Sequence, residues 1–228
     1  MKKLLVSFFT IAWMLPSCAP RVYYQIHKTV FENIKEADGV MMYEDENCII
    51  TYNLWSNGGK IVFPIYNKTD ENIYLRTDEC FFIKNGVAYD YDETKKELIV
   101  IPPKATKAIY QYDVSNDRYK HCDLMDCPKE RQIKPMMFNS DNSPYSIRNR
   151  ITYTVGASDE FVVVENKFYV SEITNYPERE ITEIVLAYNC GKVDESGKKK
   201  LIGQAPSKFY IRYQPDWVKR VPKSEFFY

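Results

Sequence analysis

The residues best equipped for chemistry crowd together at His121, Cys122, Asp123, Asp126 and Cys127. A thiol beside an imidazole suggests a nucleophile with its base. Neighbours on an extended strand point to opposite faces, however, and such a pair needs a third group to orient it. Zinc sites usually show two close pairs of ligands, and here one pair stands without a second. Cys122 and Cys127 are therefore read as candidates for a local disulfide, with longer-range pairing or free thiols left open. Such a bridge would add about 2 kcal/mol on a chain-entropy estimate, against about 5 for one joining Cys48 to Cys190. The other histidine, His27, falls in a stretch read as a tether. The acids Asp38, Glu44, Asp45 and Glu46 lack the alternating oxygen ligands and the glycine of a calcium loop, and read as a solvated turn. With no phosphate-cradling glycine loop, no GxSxG and no HExxH, the sequence assigns no catalytic residue, no metal and no cofactor.

Cys18 offers a different chemistry. Lys2 and Lys3 precede an apolar run, Leu4 to Leu15, too short to span a bilayer and suited to a signal-peptide core. Leu15-Pro16-Ser17-Cys18 then places a large aliphatic three residues before a cysteine and a small residue directly before it. This looks like a lipobox, where the thiol is diacylated and the chain cut just ahead of it, although Pro16 departs from the commonest pattern. Cys18 is thus the expected lipidation site, 1–17 the signal peptide, and 18–38 a lipid-anchored tether. Two or three acyl chains make such attachment effectively permanent.

The stretches CAPRVYYQ (18–25), YNLWSNGG (52–59), YNKTDENIYL (66–75), FFIKNGVAYDY (81–91), NRITYTVG (149–156) and FYVSEITNYPE (168–178) resemble uncharacterised lipoproteins of Bacteroides-type bacteria. The resemblance implies an envelope location and brings no activity with it. Surface-exported members of that group carry acids just after the cysteine, whereas here the first acid is Glu32. The expectation is an outer-membrane anchor facing the periplasm.

The 31 basic and 31 acidic residues balance, and loss of Lys2 and Lys3 leaves the remainder near minus two. Nothing in that balance attracts nucleic acid, and the Lys198-Lys199-Lys200 run is too small a footprint. The 19 Tyr suit half-buried strand faces, where a ring packs and its hydroxyl stays wet.

What must position these groups is a set of short strands. The expected runs are Val40–Tyr43, Cys48–Trp55, Lys60–Tyr66, Ile73–Leu75, Cys80–Lys84, Val87–Tyr91, Glu97–Ile101, Ala108–Val114, Arg150–Val155, Phe161–Val164, Phe168–Ile173 and Phe209–Tyr213, with a short first strand at Val22–Ile26. Asn85-Gly86 predicts a hairpin pairing Phe81–Lys84 with Val87–Asp90, since both central residues of the matching turn need positive φ. Pro64 lacks a donor and places its strand at an edge or a bulge. From Pro177, the spacing of Ile181, Ile184, Val185 and Tyr188 predicts a helix stopped by Gly191, though β-branching also suits a strand. Asp194–Lys200 reads as an exposed turn, 115–148 as a long insertion or connection, and 215–228 as a docked tail.

The fold class expected is mainly β, an immunoglobulin-like antiparallel sandwich over 39–228 with a possible short C-terminal helix. The function expected is a non-catalytic binding or structural module, attached to the membrane by its lipid and contacting another envelope protein or a glycan. An immunity-type lipoprotein that neutralises a toxin is the alternative, and a periplasmic hydrolase a more distant one.

Overall fold

Alternation of inward apolar and outward polar side chains builds two antiparallel sheets that bury one face each. The computed structural model describes residues 22–91, 98–114, 135–189 and 192–213. The strands are β1 (Tyr23–Glu32), β2 (Lys35–Ala37), β3 (Val40–Glu44), β4 (Cys48–Tyr52), β5 (Lys60–Asn67), β6 (Ile73–Leu75), β7 (Phe81–Lys84), β8 (Val87–Asp90), β9 (Ile99–Ile101), β10 (Thr106–Asp113), β11 (Met136–Met137), β12 (Ser146–Val155), β13 (Val162–Pro177), β14 (Thr182–Asn189), β15 (Lys192–Leu201) and β16 (Lys208–Tyr213). A single helical turn, α1 (Glu178–Ile181), precedes β14.

The larger sheet runs β16-β1-β13-β12-β6-β9, with β7 also paired along β12, β8 paired with β7, and β11 paired with β13. The smaller runs β10-β5-β4-β3-β2, and β14-β15 form a separate two-stranded ribbon. The chain is mainly β, an antiparallel sandwich, as its alternation predicts. Both large sheets feed one core, with Ile50, Phe63 and Ile65 from the smaller and Ile73, Ile147, Val170 and Phe209 from the larger all buried. At a few tens of cal/mol per Å², burial of these side chains is the main force closing the sandwich.

The Asn85-Gly86 turn forms as expected: φ is +51° and +84°, and Lys84 faces Val87 across it. Asp38-Gly39 makes the same kind of turn between β2 and β3. Pro64 lies inside the smaller sheet, in a strand flanked by β4 and β10. The β4 ladder has ended by Ile65, and a bulge interrupts β10 between Ile109 and Gln111, so the missing donor is accommodated.

Four expectations are corrected. Residues 23–37, read mostly as tether, form β1 and β2, and β1 lies between β13 and β16. Its core-facing positions Gln25, His27 and Thr29 are polar, which hid the period-two signal. The helix predicted from Pro177 lasts one turn; from Thr182 the β-branched residues pair with β15, Ile184 opposite Lys199. Asp194–Lys200, read as an exposed turn, lies within β15. The two strands expected at 161–173 are one, bent by a register shift opposite Lys28 and Thr29. Of the expected insertion, residues 135–148 include β11 and the start of β12, and 115–134 lie outside the described residues, as does the tail 215–228.

Candidate functional site

Cys18, His121, Cys122 and Cys127 lie outside the described residues, as does Cys190. The reactive groups within them are packed into the core. His27 of β1 is fully buried, stacked on Phe209 with ring centres 4.4 Å apart and edge-on to Tyr145 at 6.0 Å. Its Nδ1 lies 3.3 Å from the Gln25 carbonyl oxygen, the expected acceptor for an Nδ1 proton.

Cys48 and Cys80 are both buried and unbridged. The Cys48 Sγ lies 3.8 Å from the Tyr153 hydroxyl and 3.9 Å from an Asp45 carboxylate oxygen. Burial first, and the Asp45 charge second, push its thiol up to about 12. The Cys80 Sγ accepts the Thr152 N–H at 3.2 Å, and burial pushes its thiol up to about 11. The thiolate is the nucleophile in cysteine chemistry, so both are held in the inert form.

Asp45 shows why the acidic stretch near Glu44 is structural. One carboxylate oxygen accepts the backbone N–H groups of Asn47 and Cys48, each at 2.8 Å, closing the turn into β4. The other accepts the hydroxyls of Tyr153 at 3.2 Å and Tyr43 at 3.3 Å. Glu44 pairs with Lys68 at 2.7 Å. Among the described residues, no group of three or more His, Cys, Asp or Glu side chains could hold a metal.

Between the sheets lies a polar network. The Tyr52 hydroxyl donates to Asn166 Oδ1 at 2.7 Å and accepts from Asn149 Nδ2 at 2.9 Å. Asn149 Oδ1 in turn accepts from Tyr112 at 3.2 Å and from Tyr91. Burial drives the Tyr52 and Tyr112 phenols well above their ordinary range, which keeps them as donors. Sequence reasoning missed this network, yet a signal existed: Asn149 shares the inward phase of Ile147, Ile151 and Tyr153 along β12.

The candidate contact surface is at the opposite extreme of exposure. Tyr24, Ile26 and Ile181 form a second buried cluster on the other face of β1, with Val22, Trp55, Tyr176, Leu201 and Tyr210 packed against it. From this base the ribbon projects Ile184, 75% exposed, and Val185, with Lys198, Lys199 and Lys200 exposed on the facing strand. Lys199 reaches back to the Glu178 carboxylate at 2.6 Å. Among the described residues, no helix is long and apolar enough to cross a membrane.

The chain matches no family model, no curated protein and no solved structure. Its function must therefore be argued from its own residues.

Proposed function

We propose that the protein is a lipid-anchored binding or structural module of the bacterial cell envelope. In this reading residues 1–17 are removed, Cys18 carries the acyl chains at the outer membrane, and the sandwich faces the periplasm. The domain contacts another envelope protein or a glycan through exposed side chains and performs no catalysis. One observation carries the non-catalytic part: Cys48, Cys80 and His27, the reactive groups of the described domain, are buried in its packing. The thiols stay protonated at neutral pH, and a buried, stacked imidazole has no route to a substrate.

The anchor is supported by the lipobox-like Leu15–Cys18 at the end of the apolar run that follows Lys2 and Lys3. Mass spectrometry of the protein purified from native membranes tests it, with an expected terminus at an acylated Cys18. An unmodified terminus, or residues 1–17 still in place, overturns it. Mild crosslinking of the same membranes before purification tests the binding role. An envelope protein or glycan captured in stoichiometric amount supports it, a single small secreted effector favours the immunity-type alternative, and turnover of a captured substrate refutes a non-catalytic module.

A further inference from the structure

We infer that the β14–β15 ribbon lies against the bilayer that holds the anchor, with Ile184 and its cross-strand partner Lys199 as its contact. The inference rests on the proposed anchor at Cys18 and adds an orientation to it. From Cys18 to Val22 the chain spans at most about 14 Å even when fully extended. Val22 is fixed to the ribbon's root: its carbonyl accepts the Glu178 N–H at 3.0 Å, and the Glu178 carboxylate holds Lys199 at 2.6 Å. The membrane attachment point and the ribbon therefore occupy the same end of the domain.

The ribbon's composition fits a lipid surface. Ile184 and Lys199 are cross-strand partners and share a face, as do Val185 and Lys198 on the other. Lysine stems lie along apolar surface while their ammonium groups reach phosphate, and an isoleucine beside them can enter the headgroup boundary. Glu178, Glu180 and Glu183 offset much of the lysine charge, so Ile184 carries the contact and charge assists it. One isoleucine would bind lipid feebly from free solution. On a short tether, binding becomes intramolecular and a feeble contact is enough.

The test uses the full processed lipoprotein reconstituted into vesicles of phosphatidylethanolamine and phosphatidylglycerol. Amine acetylation is followed by peptide mass spectrometry, each rate taken relative to the urea-unfolded chain. Lys35, in β2 beyond the far end of β1, is the reference. Lys199 is expected to react several-fold more slowly on the vesicles than in the same protein in detergent, a comparison that cancels the effect of its Glu178 pair, with Lys35 reacting alike in both. Ile184→Asp is expected to remove the difference without shifting the urea midpoint. If the protein floats with the vesicles but Lys199 reacts as fast there as in detergent, the orientation is wrong and the anchor stands. The same holds if Ile184→Asp leaves its protection intact. If the protein does not float, the anchor and the orientation fall together.

Discussion

The sandwich interface and the ribbon break the rule of apolar inside and polar outside in opposite directions. Asn149 and Asn166 are polar and buried between two sheets, whereas Ile184 is apolar and stands in solvent. In the interface Asn149 is met at both ends of its amide by tyrosine hydroxyls, and Asn166 Oδ1 by that of Tyr52, so Tyr52 of β4 joins Asn149 of β12 and Asn166 of β13. Such bonds contribute little net energy but make misalignment of the sheets expensive, since any slip leaves buried donors unmet. On the ribbon nothing among the described residues meets the exception. A two-stranded ribbon is marginal in water, and this one is held at its root by Ile181, Leu201 and the bond from the Ile202 N–H to the Ile181 carbonyl. A buried polar group that is satisfied speaks of architecture; an exposed apolar one, of contact.

This contrast can be broken by substitution. The largest loss is expected for Phe209→Ala, which empties the core beneath His27 and should cost about 3–5 kcal/mol in urea unfolding. A loss below about 1 kcal/mol would mean that β16 is not part of the cooperative core. Asn149→Leu should follow at about 3 kcal/mol, because it strips a partner from the hydroxyls of Tyr52, Tyr112 and Tyr91 at once. If Asn149→Leu proves neutral, the network does not align the sheets.

Alkaline pH probes the same interior. The Cys48 thiol ionises near 9 when unfolded and near about 12 when folded, so the folded state holds its proton longer. Stability from this group is complete below pH 9 and declines as pH rises toward 12. By about pH 10.5 the loss from Cys48 alone should be on the order of 2 kcal/mol. Cys80 acts in the same direction between 9 and about 11. Thermal melts from pH 8 to 11 check the slope, and a thiol reagent at pH 8 should label Cys48 and Cys80 only after denaturation. Rapid labelling of either in the native protein would contradict their burial. The smallest effect belongs to the ribbon, where Ile184→Ala should stay within about 0.5 kcal/mol. A larger loss would show that Ile184 packs within the domain and is not a contact residue.

How legible these features were in sequence depended on whether a position obeyed its period. The Asn85-Gly86 hairpin could be read outright, because its turn chemistry is local and demands those residues. β1 could be read only at its start, Val22–Ile26, since Gln25, His27 and Thr29 occupy its core face and the alternation vanishes. The ribbon misled for another reason. Pro177 followed by Glu178 imitates a helix start, and the turn it starts does form, but pairing with β15 then takes over from Thr182. Such pairing is a tertiary fact that a local window does not contain. Of the candidate site, the inertness of Cys48 was invisible, because it depends first on burial in a core that both sheets build and then on the Asp45 charge beside it.

The placing of β1 has a consequence for how the chain matures. It is the earliest described strand to be synthesised, yet its two neighbours begin only at Val162 and Lys208. Until those distant segments arrive, both rims of Tyr23–Glu32 stay open, and closing so wide a gap in sequence makes assembly slow and prone to adventitious pairing. A chain cut short after residue 207 would thus lose far more than its final strand, because the oldest strand would be left with one rim bare.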